Sequence, residues 1–200
     1  MDAARLGRLR AALRDRYPRA SLFEVSAKTG AGLERWFSHV LGSEDEGRTN
    51  LQIDYDDYAT GEARLGWLNC TARVLGSDFD GNRWLLKLAT GVQERLRRRD
   101  IEIAHLKMTL TPAENDTDLC VINVVGTDAR PVTPFALQDP VSDAELIINL
   151  RAESDPDILR KEADAALAEH AADAGLTVTV SHVEHFRPGR PVPTHRDVMA

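Results

Sequence analysis

Residues 65–75 read LGWLNCTARVL, and the fold of the chain turns on whether they form a helix or a strand. Leu68, Cys70, Ala72 and Val74 take alternate positions with Trp67, Asn69, Thr71 and Arg73 between them, a period of two rather than about 3.6. That is a strand. With one apolar row and one mixed row, it belongs to a sheet covered on a single side, so neighbouring segments must supply the cover.

Downstream the cover is legible. Asp80 is placed to cap a helix running to about Arg99, with Leu85, Leu88, Val92 and Leu96 on its inner face and Arg97, Arg98 and Arg99 at its C-terminal end. Three strands follow: 102–111, where Ala104, Leu106, Met108 and Leu110 alternate; 119–125, apolar on both faces and so central; and 145–151. A proline-containing loop, 126–143, separates the last two. Asp155-Pro156 opens a second helix, with proline in the first turn where its missing N–H does no harm, and Gly175 closes it before a final strand at 176–186. The order β-α-β-β-β-α-β predicts an open α+β sandwich over residues 53–186, a mainly antiparallel sheet with two helices on one face.

Upstream the composition changes. GSEDEGRTN, at residues 42–50, is polar and glycine-bearing, and a linker is expected over 43–52. Before it, Leu6, Leu9, Leu13 and Tyr17 share a helix face that Pro18 ends, Leu22 to Val25 read as a strand, and Leu33, Trp36, Phe37, Val40 and Leu41 mark a second helix. This helix–strand–loop–helix order suits one edge of an α/β sheet, its loop at the strand's C-terminal end. One strand and two helices cannot bury their apolar sides alone, so partial exposure is expected at Leu6, Leu9, Leu33, Trp36 and Phe37.

Charge is uneven: residues 1–42 carry eight Lys/Arg and four Asp/Glu, the remainder 17 and 28. The small basic excess is spread around helical faces, so nucleic acid is not expected as a partner. Cys70 and Cys120 make no disulfide framework, and no signal peptide or long apolar run is read, so the expectation is a reducing cytoplasm and no membrane partner. Both cysteines sit in apolar rows and read as small buried hydrophobes.

The loop between the first strand and the second helix, Ser26-Ala27-Lys28-Thr29-Gly30 with Gly32 and Leu33 and then Trp36, resembles the final guanine-contacting loop and last helix of a small GTPase domain. DYDDYATGEARLGWLN at 54–69 and FRPGRPVPTHR at 186–196 resemble one branch of the CobW-type metal-chaperone GTPases, relatives of UreG and HypB. The resemblance implies a C-terminal segment of a P-loop GTPase domain over 1–42 and the family's accessory domain, used in metal delivery or partner contact, over 53–186. It also implies that backbone N–H groups at Ala27 and Lys28 approach the guanine, that the Lys28 stem covers the ring, and that Ser26 shapes the turn. GTP, magnesium and a transition metal such as zinc are implied for an intact relative, with a metalloprotein as client.

Against that pattern, the chain contains no Gly-Lys pair, no Asn-Lys-x-Asp and no Cys-x-Cys-Cys. The phosphate cradle is missing. No catalytic residue, no cofactor and no independent GTP hydrolysis are therefore expected of this chain alone. In relatives the Asn-Lys-x-Asp precedes the helix that Asp2 to Asp15 resembles, so the chain is expected to start after most of a catalytic domain has passed. A truncated gene, a split gene whose other chain supplies the P-loop half, and a fragment of a longer product all remain open.

Other candidates are set beside plainer readings. No metal site is read. His182 and His185 come nearest, but an odd spacing on a strand sends them to opposite faces, and the row of Leu176, Val178 and Val180 makes His182 a core or rim histidine. Asp78-Phe79-Asp80-Gly81 fails the spacing of a calcium loop. Tyr55, Tyr58 and Glu62 on one side of a short helix, with Arg187, Arg190 and Arg196 in an extended basic, proline-rich tail at 187–200, are candidates for a partner surface. Their plainer readings are a solvated helix face and a mobile terminus. The rival functional reading is a stand-alone α+β module that binds a protein or small ligand.

Overall fold

The computed structural model describes residues 3–27, 29–43 and 64–189. Lys28, Tyr55, Tyr58, Glu62, Arg190, Arg196 and most of the expected linker lie outside the described residues. The chain divides into two compact units, Met1–Gln52 and Ile53–Ala200.

In the first unit, helix α1 spans Ala3–Arg16 and helix α2 spans Leu33–Gly42. The Tyr17 N–H still reaches the Leu13 carbonyl at 2.8 Å, after which Pro18 has no N–H to continue the helix. The strand expected at 22–25 does not form. Residues 21–26 are irregular, because a strand exists only against a partner's N–H and C=O groups, and the described residues offer none there. Gly32 is required where the loop turns back: at φ 75° it is left-handed, and a Cβ would stand 2.1 Å from the Glu24 carbonyl oxygen. No described side chain from Ala4 to Ser43 is buried, and Trp36, Phe37, Val40 and Leu41 on α2 are exposed.

The second unit runs β1 (Gly66–Phe79), α3 (Gly81–Arg97), β2 (Ile103–Pro112), β3 (Cys120–Val124), β4 (Val132–Phe135), β5 (Val141–Ala152), α4 (Pro156–Ala174) and β6 (Thr177–Phe186). These strands make one six-stranded sheet in the order β4-β3-β2-β5-β1-β6, every neighbour antiparallel. β5 thus lies between the parallel pair β1 and β2, and β1 between the parallel pair β5 and β6. Two split β-α-β units interleave, with the β3–β4 hairpin extending the β2 side.

One sheet face carries the core. Leu68, Cys70, Ala72 and Val74 of β1 meet Leu146, Ile148 and Leu150 of β5, and beyond them Leu106, Met108 and Leu110 of β2, under Leu85, Leu88, Val92 and Leu96 of α3. α4 contributes Leu159, Ala163, Ala166 and Leu167. Each of the larger side chains gains about 1.5–3 kcal/mol from leaving water. The opposite row is partly open.

The caps follow the sequence. Asp80 accepts from Arg83 N at 3.0 Å, Asp155 from Asp157 N at 2.9 Å, and Gly175 closes α4 in the left-handed region at φ 66°. Two expectations are corrected. β4 lies within the segment expected as loop, pairing Val121 with Phe135 and Asn123 with Val132. Its four residues are all exposed and include Pro134, so it shows no burial alternation; it forms because β3 has an edge to satisfy. His182 is not on the core row. Ala72 pairs with Val180 but Thr71 with His182, so a bulge at Ser181 inserts one residue and turns His182 to the open face.

The β3–β4 connection is held from below. Gln93 Nε2 donates to the carbonyls of Thr127 and Ala129 at 2.8 and 2.7 Å and approaches that of Gly126 at 3.2 Å. Thr127 Oγ1 accepts from Ile103 N at 2.8 Å and donates to the Ile101 carbonyl at 3.0 Å. Gln93→Ala strands these acceptors and is expected to destabilise the unit by about 1–3 kcal/mol, read from the urea midpoint. A midpoint matching wild type would contradict that role.

Candidate functional site

The first site stands on the loop after Val25. Ser26 N donates to the Ala31 carbonyl at 2.9 Å and Gly30 N to the Ser26 carbonyl at 2.8 Å, while Ser26 Oγ accepts from Thr29 N at 3.3 Å. These bonds close a turn that begins at Ser26. Phe23 meets His39 of α2 with ring centroids 4.9 Å apart, and the Arg35 guanidinium lies 5.7 Å from the same ring. Beside this loop opens a cavity of about 620 Å³, walled mainly by Leu6, Leu9, Leu13, Leu22, Phe23 and Val25. Arg10 Nε donates to Glu24 at 2.6 Å in the same wall. The cavity is an apolar opening between α1 and the irregular segment 21–26.

The second site is the sheet's open face. Register sets Arg151, Trp67 and Phe186 side by side across β5, β1 and β6. The Arg151 guanidinium lies 3.7 Å over the Trp67 ring, and the Phe186 centroid is 5.6 Å from it. Asn149 Nδ2 donates to Asn69 Oδ1 at 2.9 Å. Arg73 holds Asp143 by two bonds, at 2.9 and 2.5 Å, and that hydrogen bonding keeps the carboxyl below its ordinary pKa. The stability it lends is present above the unfolded pKa and is lost as pH falls through the lower folded value. Arg151 was not singled out from sequence. Its signal is the mixed row of β5, Glu145, Ile147, Asn149 and Arg151, which becomes a site only once β1 lies beside it.

The histidines do not converge. His182 Nε2 lies 3.5 Å from Glu184 on the open face, while His185, opposite Leu68, meets Asp157 of α4 at 2.8 Å. Among the described residues no cluster of three or more His, Cys, Asp or Glu could hold a metal. Arg187 follows β6 and is exposed. No helix among the described residues is long and apolar enough to cross a membrane.

Both cysteines are buried and free. Burial, reinforced by Asp80, pushes the Cys120 thiol up to about 11, and burial with Asp164 raises that of Cys70. Thiolate, the reactive form, is therefore scarce. A thiol reagent at mildly alkaline pH is expected to label the native chain at least about a hundredfold more slowly than the urea-unfolded chain. Fast native labelling of either cysteine would overturn this assignment.

No protein-family model matches the sequence, and no curated protein matches it. Among solved structures, a crystal structure of a hydantoinase/carbamoylase family amidase from Burkholderia ambifaria is similar at a TM-score of 0.40 and 12% identity, over 64% of this chain. The chain spans 29% of that protein's length, and a likeness so low carries no argument about activity.

Proposed function

We propose that residues 1–42 form the guanine-side edge of a CobW-type GTPase domain and that the α+β sandwich is its accessory domain for metal delivery or partner contact. The observation that carries this reading is the first unit itself: a Ser-Ala-Lys loop beside an apolar cavity, in a unit that buries no described side chain of its own. Such a unit needs sheet neighbours, and a nucleotide-binding sheet is what its loop resembles.

The residues present suit only the base half of a nucleotide. The tight turn at Ser26 can aim backbone donors at a guanine, but no Gly-Lys pair exists to hold phosphates and magnesium, and no step through either is assigned to this chain. A bound transition metal is not supported by Cys70 and Cys120, whose raised pKa values disfavour the ligating thiolate.

Fluorescent GDP titration tests the reading. The chain alone should show no saturable binding, whereas co-expression with the product of the reading frame immediately upstream should give a complex that binds GDP and loses at least about tenfold in affinity with Lys28→Ala. Tight magnesium-dependent GTP binding by the chain alone, or a complex indifferent to Lys28, would refute it. A second reading, a stand-alone binding module, is favoured by the Arg151–Trp67–Phe186 row, a cationic and aromatic patch on an uncovered sheet. It calls for no nucleotide in either preparation.

A further inference from the structure

We infer that the free edge of β6 is a self-association surface, on which a second copy of this chain pairs its own β6 antiparallel about a two-fold axis at Val183. The sheet has two edges, β4 and β6, and among the described residues β6 pairs only with β1. Edge strands expose a row of unpaired N–H and C=O groups, which proteins blunt with short length, proline or lysine. β4 is blunted in this way, being four residues long with Pro134 inside it. β6 has only the bulge at Ser181 to blunt it. Thr177–Phe186 runs ten residues, TVTVSHVEHF, rich in β-branched side chains and without proline, lysine or arginine.

The flank of β6 is also apolar. A groove of about 310 Å³ between α4 and β6 is walled by Leu167, Ala168, Ala171, Val178, Val180 and Val183, with Arg160 and Asp164 at its side. Val180 is 44% exposed. Edge and groove together offer both backbone pairing and apolar burial.

Symmetry selects a second copy as the occupant. A two-fold axis normal to the sheet keeps each face on its own side, so directly opposed residues must come from the same side-chain row. An axis at Val183 meets this condition beside the axis, where Val183 opposes Val183 and His182 of each copy opposes Glu184 of the other; the bulge at Ser181 ends the matched register before Val180 and Phe186, which lie on opposite faces. His182 and Glu184 share the open-face row, already 3.5 Å apart within the strand. The pairing would therefore set two histidines and two glutamates in alternation across the junction, opposite in character at every position. Neutral or charged, each imidazole has an N–H to give a carboxylate. Directly opposed like charges, which destabilise a sheet, are avoided. Such a pair forms whether or not the first unit takes part in nucleotide binding.

Sedimentation equilibrium of the full chain tests this. Wild type is expected to show a reversible monomer–dimer equilibrium in the micromolar range. Glu184→Lys sets a lysine against His182 of the other copy and should weaken the dimer at least about tenfold. The swap His182→Glu with Glu184→His recreates the alternation and should return the dimer to within about threefold of wild type. Both positions are exposed, so the sheet tolerates the changes, and circular dichroism verifies it. A wild-type chain that stays monomeric, a Glu184→Lys dimer as tight as wild type, or a swap as weak as the single variant each overturns the proposal. Association through the apolar faces of the first unit would survive Glu184→Lys and so counts among those failures.

Discussion

Amide exchange on the full chain is expected to separate the two units by at least about a thousandfold in rate, residues 4–43 exchanging first. Protection scales with the free energy of opening, and opening is costly only where it exposes buried apolar surface. The first unit has no described buried side chain, whereas Leu106, Met108, Leu110, Ile122 and Val124 in β2 and β3 are fully buried. α1 and α2 are 14 and 10 residues long, lengths at which helices are marginal in water without tertiary packing. Exchange in 4–43 as slow as in 103–124 would show that the first unit is stabilised in a way its burial does not reveal. Adding a protein that completes the unit should slow exchange selectively at residues 22–26, the segment that lacks a strand partner, and around the 26–32 turn.

Ile148→Ala should be among the most destabilising single changes in the chain, at about 2–5 kcal/mol. Ile148 lies on β5, opposite Cys70 of β1 and Met108 of β2, and is 1% exposed. The gap cannot close by local collapse, because paired strands flank the residue on both sides and two helices pack above the face it points to. Its neighbour is the control. Ile147 points to the open face and is only partly buried, so Ile147→Ala should cost about 1 kcal/mol or less. Urea midpoints with unchanged slopes would measure both effects. Equal losses at the two positions would mean that the open face is covered, which bears directly on the binding-module reading.

The loop at Ser26 shows how far motif reading reaches. The resemblance implied a turn there, and the structure has one, closed by hydrogen bonds around Ser26 with Gly30 and Gly32 in the left-handed region. The segment leading into it was read as a strand from its apolar residues alone. Apolar composition marks a wish for burial, but a strand also needs a neighbour, and that need is invisible in a stretch of four residues. The reverse happened at β4, where Pro134 and full exposure hid a strand that exists because β3 required a partner.

Local chemistry was thus decided by the sequence itself: helix starts at Asp80 and Asp155, the stop at Gly175, the alternating row of β1, and that of β2 from Leu106 on; Ala104, expected in the β2 row, is exposed, because an irregularity between Ile103 and His105 puts Ile103 in the core instead. Each depends on groups within a few residues of one another, so a single stretch contains all the relevant physics. Tertiary structure alone decided the strand order, the Arg151–Trp67–Phe186 row, and the bulge that moves His182 from core to open face. Those features depend on register between segments from 9 to 119 residues apart, and a one-residue slip in register reverses every face that follows it.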